Sequence, residues 1–140
     1  MYASAYTPFG SKEMSKIYEL GRLNLKILEK EFGNIQTAET IITQERIQHI
    51  IAHHPLDYPF LHTYGKSIIS DPDFIIKDLN HTGTIFMIKE IENSNLNIII
   101  RLVLETDHQQ LKNSVMTFFR IRNRNLKKLI EKNTLLYKKE

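Results

Sequence analysis

The chain has 140 residues, of which 41% are hydrophobic and 25% charged, and it contains no cysteine. That length fits one domain able to bury its own core, and the missing cysteines exclude disulfide frameworks, thiol nucleophiles and cysteine-based zinc sites. The net charge is +3, yet residues 120–140 carry eight basic residues against two acidic ones, a local field that suits either phosphate contacts or a solvated helix face.

Residues 1–10 read as a flexible segment and 11–140 as a single domain. Ile17, Leu20, Leu23, Ile27 and Leu28 recur at helical spacing, which predicts a helix over 11–32, capped by Ser11 and stopped at Gly33-Asn34. Ile35 to Ile42 reads as extended. Thr43 caps a second helix with Glu45 in its first turn and an Ile47/Ile50/Ile51 stripe, and Pro55 ends it. A third helix spans 57–70 with Phe60, Tyr64, Ile68 and Ile69 as contacts, although Gly65 counts against it. Asp71-Pro72-Asp73 is a turn. Strands follow over 74–76, 84–91, 97–105 and 114–121, then a helix over 123–132 and a candidate last strand over 134–138. The expected fold is therefore α+β: N-terminal helices followed by a four-stranded, possibly five-stranded, antiparallel sheet with the helices on one face.

Several polar residues exceed what such a scaffold needs. His49, His53 and His54 lie within six residues and titrate near neutrality, though three histidines on a wetted helix face need no function. His54 precedes Pro55 and so belongs at a helix end. His49 and His53 also have the i, i+4 spacing of a zinc pair, with a third ligand to come from Asp57, His62 or His81. Within 97–105, Arg101 falls on the face opposite Ile98, Ile100, Leu102 and Leu104, which points it to the open side of the sheet. Whether Lys89 shares that side depends on hairpin register. Both are candidates to stabilise a charged phosphorane, and both are also ordinary on exposed strands. Ser114 and Thr117 fall on opposite faces of a regular strand unless a bulge intervenes.

These pieces, in this order, resemble the phage-associated nuclease-like domains of the barnase–EndoU–colicin–RelE superfamily. The resemblance rests on Tyr18–Asn24, Thr43–Ile50 with His54-Pro55, Pro72-Asp73, Ile88-Lys89, Lys112–Thr117 and Tyr137-Lys138. It implies metal-independent RNA cleavage by 2′-hydroxyl transesterification, without a cofactor, in a phage, mobile-element or toxin setting. The implied catalytic set is His54, His49, Arg101, Lys89 and Thr117, with Asn113, Ser114, Arg120, Arg122, Tyr137 and Lys138 binding RNA, possibly tRNA. A basic residue, usually Arg, precedes the His-Pro pair in such domains, and here it is His53. An acidic immunity or antitoxin protein is the implied protein partner. The alternative is an inactive RNA- or protein-binding module on the same fold, and a phage-assembly domain is a third reading. No run approaches the ~18 apolar residues of a membrane span, and residues 1–6 lack a signal peptide's basic start and apolar stretch, so a cytoplasmic protein is expected.

Overall fold

A computed structural model describes residues 16–140; the expected flexible segment and the Ser11 cap lie outside them. In chain order the elements are β1 (Ile17–Arg22), α1 (Leu25–Phe32), β2 (Glu39–Thr43), α2 (Gln44–His53) and α3 (Tyr58–Ser70). They continue as β3 (Phe74–Lys77), β4 (Thr84–Ile91), β5 (Ser94–Arg101), β6 (Asn113–Ile121), α4 (Asn123–Lys132) and β7 (Thr134–Lys138).

The strands form one seven-stranded sheet in the order β1-β2-β6-β5-β4-β3-β7. It is mixed. β2 runs parallel to β6 through Thr40↔Asn113 and Ile41↔Ser114, while the other neighbours are antiparallel. This corrects the expected four- or five-stranded antiparallel sheet, and the helices are neither all N-terminal nor on one face. α1, α2 and α3 pack Leu28, Ile50, Ile51, Leu61, Ile68 and Ile69 onto one side with Met87, Ile98 and Phe118. On the other side α4 lays Leu126, Leu129 and Ile130 against Ile76, Phe86 and Ile88. The period-2 alternation of β4 feeds both layers: Ile85 and Met87 enter the first, Phe86 and Ile88 the second.

Residues 17–22 form a strand where helical spacing predicted a helix. A register shift between Glu19 and Gly21 breaks the alternation and sets Leu20 among the side chains packed on the core. Gly65 of α3 accommodates it. A Cβ on Gly65 would come within 3.0 Å of Leu20 Cδ1 and 3.3 Å of Leu61 Cδ1, so the residue that spoiled the helix pattern is the one that admits β1. Gly65→Val is expected to destabilise the protein by about 1–3 kcal/mol through overpacking, read as a lower urea midpoint, with Gly65→Ala close to neutral because helix propensity offsets the contact.

Candidate functional site

The site is built where α2 ends. The Thr43 side chain accepts from Arg46 N and starts the helix, Ile50 and Ile51 hold it on the sheet, and Pro55 stops it. His54 is the C-terminal cap, its N–H donating to the Ile50 carbonyl at 2.7 Å. β2 pairs with β6 only as far as Ser114, so α2 ends beside the edge of β6, where the His54 ring stacks on Phe119 with centroids 5.2 Å apart.

Asp57, at the start of α3, makes no capping bond there. Its carboxylate instead reaches β6. Oδ1 accepts from Arg120 Nε at 2.6 Å and Oδ2 from the Arg120 backbone N–H at 3.3 Å, a backbone donor on the side where β2 has diverged. Oδ2 also lies 4.0 Å from His54 Nδ1, and the His54 side chain keeps 34% of its exposure. The Arg120 Cζ lies over the Phe60 ring, 4.6 Å from its centroid. Residues 54, 57 and 60 thus meet residues 119 and 120 in one cluster, which fixes the imidazole's surroundings and the guanidinium's position.

His49 and His53 stand beside this cluster on the exposed side of α2, with ring centroids 4.4 Å apart. Desolvation by its neighbours, then the charges of His53, Arg46 and His54, hold the His49 pKa below its ordinary 6.5. Among the described residues no group of three or more His, Cys, Asp or Glu gathers to hold a metal ion, so the His49/His53 pair acquires no third ligand from Asp57, His62 or His81.

On the other side of Arg120 lies an open cleft of about 460 Å³, lined by Asp57, the Asn93–Asn95 end of the β4–β5 hairpin, Arg120, Arg122 and Asn123. Arg122, Arg124, Lys127 and Lys128 are exposed around the beginning of α4. The basic C-terminal region therefore adjoins the cleft, and the clustered charges are those of one short helix and its approach.

The remaining candidates are spread over the molecule. Arg101 and Lys89 lie on opposite faces of the sheet, because Arg101 pairs with Thr84 while Lys89 pairs with Leu96. Lys89 sits on the side of the three helices, where its ammonium donates to the Asp71 carbonyl at 2.8 Å and to Asp71 Oδ2 at 3.1 Å. Lys139 reaches the same oxygen at 2.7 Å, and these bonds hold the Asp71 carboxyl below its ordinary 3.8. Arg101 donates to the Leu102 carbonyl and to Asp107 Oδ1. It stands opposite Ser114, five residues along β6 from Phe119 and so roughly 16 Å from the His54 contact.

A bulge between Ile99 and Ile100 pairs Thr117 with Ile99 and Ser114 with Arg101, which puts Ser114, Thr117 and Arg101 on one face. The Ser114 hydroxyl is occupied with the Lys112 carbonyl. Asn113 is fully buried. Its Oδ1 accepts from the Val103 N–H, and its Nδ2 donates to the Thr37 and Glu39 carbonyls, so it clamps three segments and faces no ligand. Tyr137 packs against the core opposite Ile75, and exposed Lys138 lies opposite Phe74; both belong to β7, at one edge of the sheet.

Of the eleven candidates, Arg120 and Arg122 line the cleft, His54 adjoins them through Asp57, and His49 is linked to His54 by charge alone. Sequence reading missed Asp57 as the residue that joins His54 to Arg120, as well as Phe60, Phe119 and the amides of the cleft. The available signal was the i, i+3 spacing of His54 and Asp57 across a proline. Among the described residues no helix is long and apolar enough to cross a membrane. No family model matches the chain, and no curated protein or solved structure proves similar to it.

Proposed function

We propose that this chain is an endoribonuclease whose reaction centre is the His54–Asp57–Arg120 cluster at the mouth of the cleft. The observation that carries the reading is a partly exposed imidazole 4.0 Å from a carboxylate, beside two arginines and an open cleft. A base removes the proton from a ribose 2′-hydroxyl, and the oxygen attacks the adjacent phosphorus. An acid then protonates the departing 5′-oxygen, leaving a 2′,3′-cyclic phosphate and a 5′-hydroxyl. His49, whose pKa is held below its ordinary 6.5 first by desolvation, suits the base. His54, placed 4.0 Å from the Asp57 carboxylate, is the imidazole left to act as the acid. Arg120 and Arg122 suit the phosphate. Lys89 and Asn113 drop out of the set because their polar groups are engaged away from the cleft. Arg101 and Thr117 serve at most as distant backbone contacts.

Incubation with total RNA and a defined tRNA in EDTA tests the proposal. Fragments ending in 2′,3′-cyclic phosphate are expected, with the acid limb of the rate profile below pH 6.5, the ordinary value from which His49 departs downward. Intact RNA across a wide range of protein concentration would reject cleavage.

A second reading, an RNA-binding module without turnover, has its own observation: Arg120, Lys89 and Arg101 are each ion-paired to an aspartate, which leaves less free charge for a developing phosphorane. It predicts RNA binding that weakens with salt and yields no product. In either case an acidic protein that covers the start of α4 would act as an inhibitor.

A further inference from the structure

The polar side chains of the cleft form a relay of fixed direction. Asn95 is 6% exposed, and its Nδ2 donates both to the Ile121 carbonyl at 3.2 Å and to Asn123 Oδ1 at 2.7 Å. A backbone carbonyl only accepts, so Ile121 fixes which end of the Asn95 amide is nitrogen. Asn95 in turn fixes Asn123: its oxygen is occupied, and its free Nδ2 is the end left for a ligand. Arg122, which also lines the cleft, carries donors alone. Arg120 adds a platform. Its Nε is held by Asp57 and its Cζ rests over Phe60, and the side chain also lines the cleft, where it can take a stacked ring, as arginine planes stack unpaired bases in RNA recognition.

We infer that this cleft is a nucleobase subsite that stacks one base of a bound single strand on Arg120 and prefers keto bases to amino bases through the Asn123 Nδ2 donor. Uracil and hypoxanthine or guanine turn an oxygen acceptor toward such a donor. Cytosine and adenine place an amino donor at the corresponding position and leave donor facing donor. The volume of about 460 Å³ lies within the range of small-ligand sites. Asn93 and Ser94, at the hairpin end, also line the cleft. This inference rests on the RNA reading of the site and adds the base class that it selects.

The test uses fluorescent 2′-O-methyl octamers, which lack the attacking hydroxyl and cannot be cut by transesterification, with the full chain. Oligo-U is expected to bind about five-fold tighter than oligo-C, the effect of one hydrogen bond gained rather than opposed, and oligo-inosine tighter than oligo-adenosine by a similar factor. Asn123→Ala is expected to erase both preferences while oligo-U still binds. Asn123→Asp, which puts an acceptor at that position, is expected to invert them. Equal affinity for U and C octamers, or a preference that survives Asn123→Ala, overturns the subsite while leaving RNA binding in place. Failure of every octamer and of total RNA to bind overturns the RNA reading, and the subsite falls with it.

Discussion

His54→Ala is expected to slow RNA cleavage by about 10²- to 10⁴-fold, the range that a lost general acid or base produces. The substitution isolates chemistry from folding. The side chain is partly exposed, its ring contact is with Phe119 at the edge of β6, and the cap bond to Ile50 is made by the backbone. Thermal unfolding is therefore expected to shift little, and RNA affinity in the non-cleavable octamers to remain, because Arg120 and Arg122 are untouched. The comparison to make is the single-turnover rate of product formation for wild type and variant at matched saturation. A folded His54→Ala protein that cuts at the wild-type rate would remove His54 from the mechanism. Asp57→Asn would then be informative in the opposite direction, since it keeps an oxygen for Arg120 and removes the charge beside His54.

Asn113→Ala is expected to lower the unfolding free energy by about 3 kcal/mol, since each buried polar group left without a partner costs roughly 1–3 kcal/mol. The buried Val103 N–H loses its acceptor, and the part-buried carbonyls of Thr37 and Glu39 each lose the bond to Asn113 Nδ2. They belong to the loop after β5, the approach to β2, and β2 itself, so the variant loosens the joint at which the sheet turns from antiparallel to parallel. Equilibrium urea unfolding measures the effect. Ser114→Ala, one residue on, is the control: its hydroxyl bonds only to the nearby Lys112 carbonyl and its loss is expected to be within about 0.5 kcal/mol of neutral. Equal stability of the two variants would show that Asn113 does not act as a clamp.

What the sequence made legible was local. Helix 123–132 and strand 134–138 coincide with α4 and β7, because an amphipathic stripe followed by a Thr–Leu–Leu–Tyr run leaves little ambiguity. Thr43 and Pro55 mark the ends of α2 for equally local reasons: one supplies a capping oxygen, the other lacks a backbone donor. What stayed hidden depends on partners far along the chain or on irregularities of pairing. β1 reads as helix because Ile17, Leu20 and Leu23 fall three apart, and that spacing arises from a bulge that turns Leu20 inward. The shared face of Ser114 and Thr117 likewise follows from a bulge opposite Ile99 and Ile100. The parallel pairing of β2 with β6 joins segments some seventy residues apart and leaves no trace in either. The site suffered the same way. His54 was legible from its proline, whereas the bond from Asp57 to Arg120 spans 63 positions, and the separation of Lys89 from Arg101 required the register of a hairpin.

The joint between β2 and β6 also has a consequence expected for the assembly of the molecule. Strands β3 to β6 are successive neighbours in both chain and sheet, so they zip together through short loop closures. β1 and β2 pair with each other and join the rest of the sheet through residues 40 and 41 against residues 113 and 114, a closure that carries the entropy of a long loop. Loop-closure entropy therefore predicts two pieces, a four-strand meander and the β1–β2 pair, with Asn113 at the joint between them. α2 grows directly out of β2 at Thr43, so the contact of His54 with Phe119 is expected to form late, which φ-values near zero for Phe119 variants would bear out.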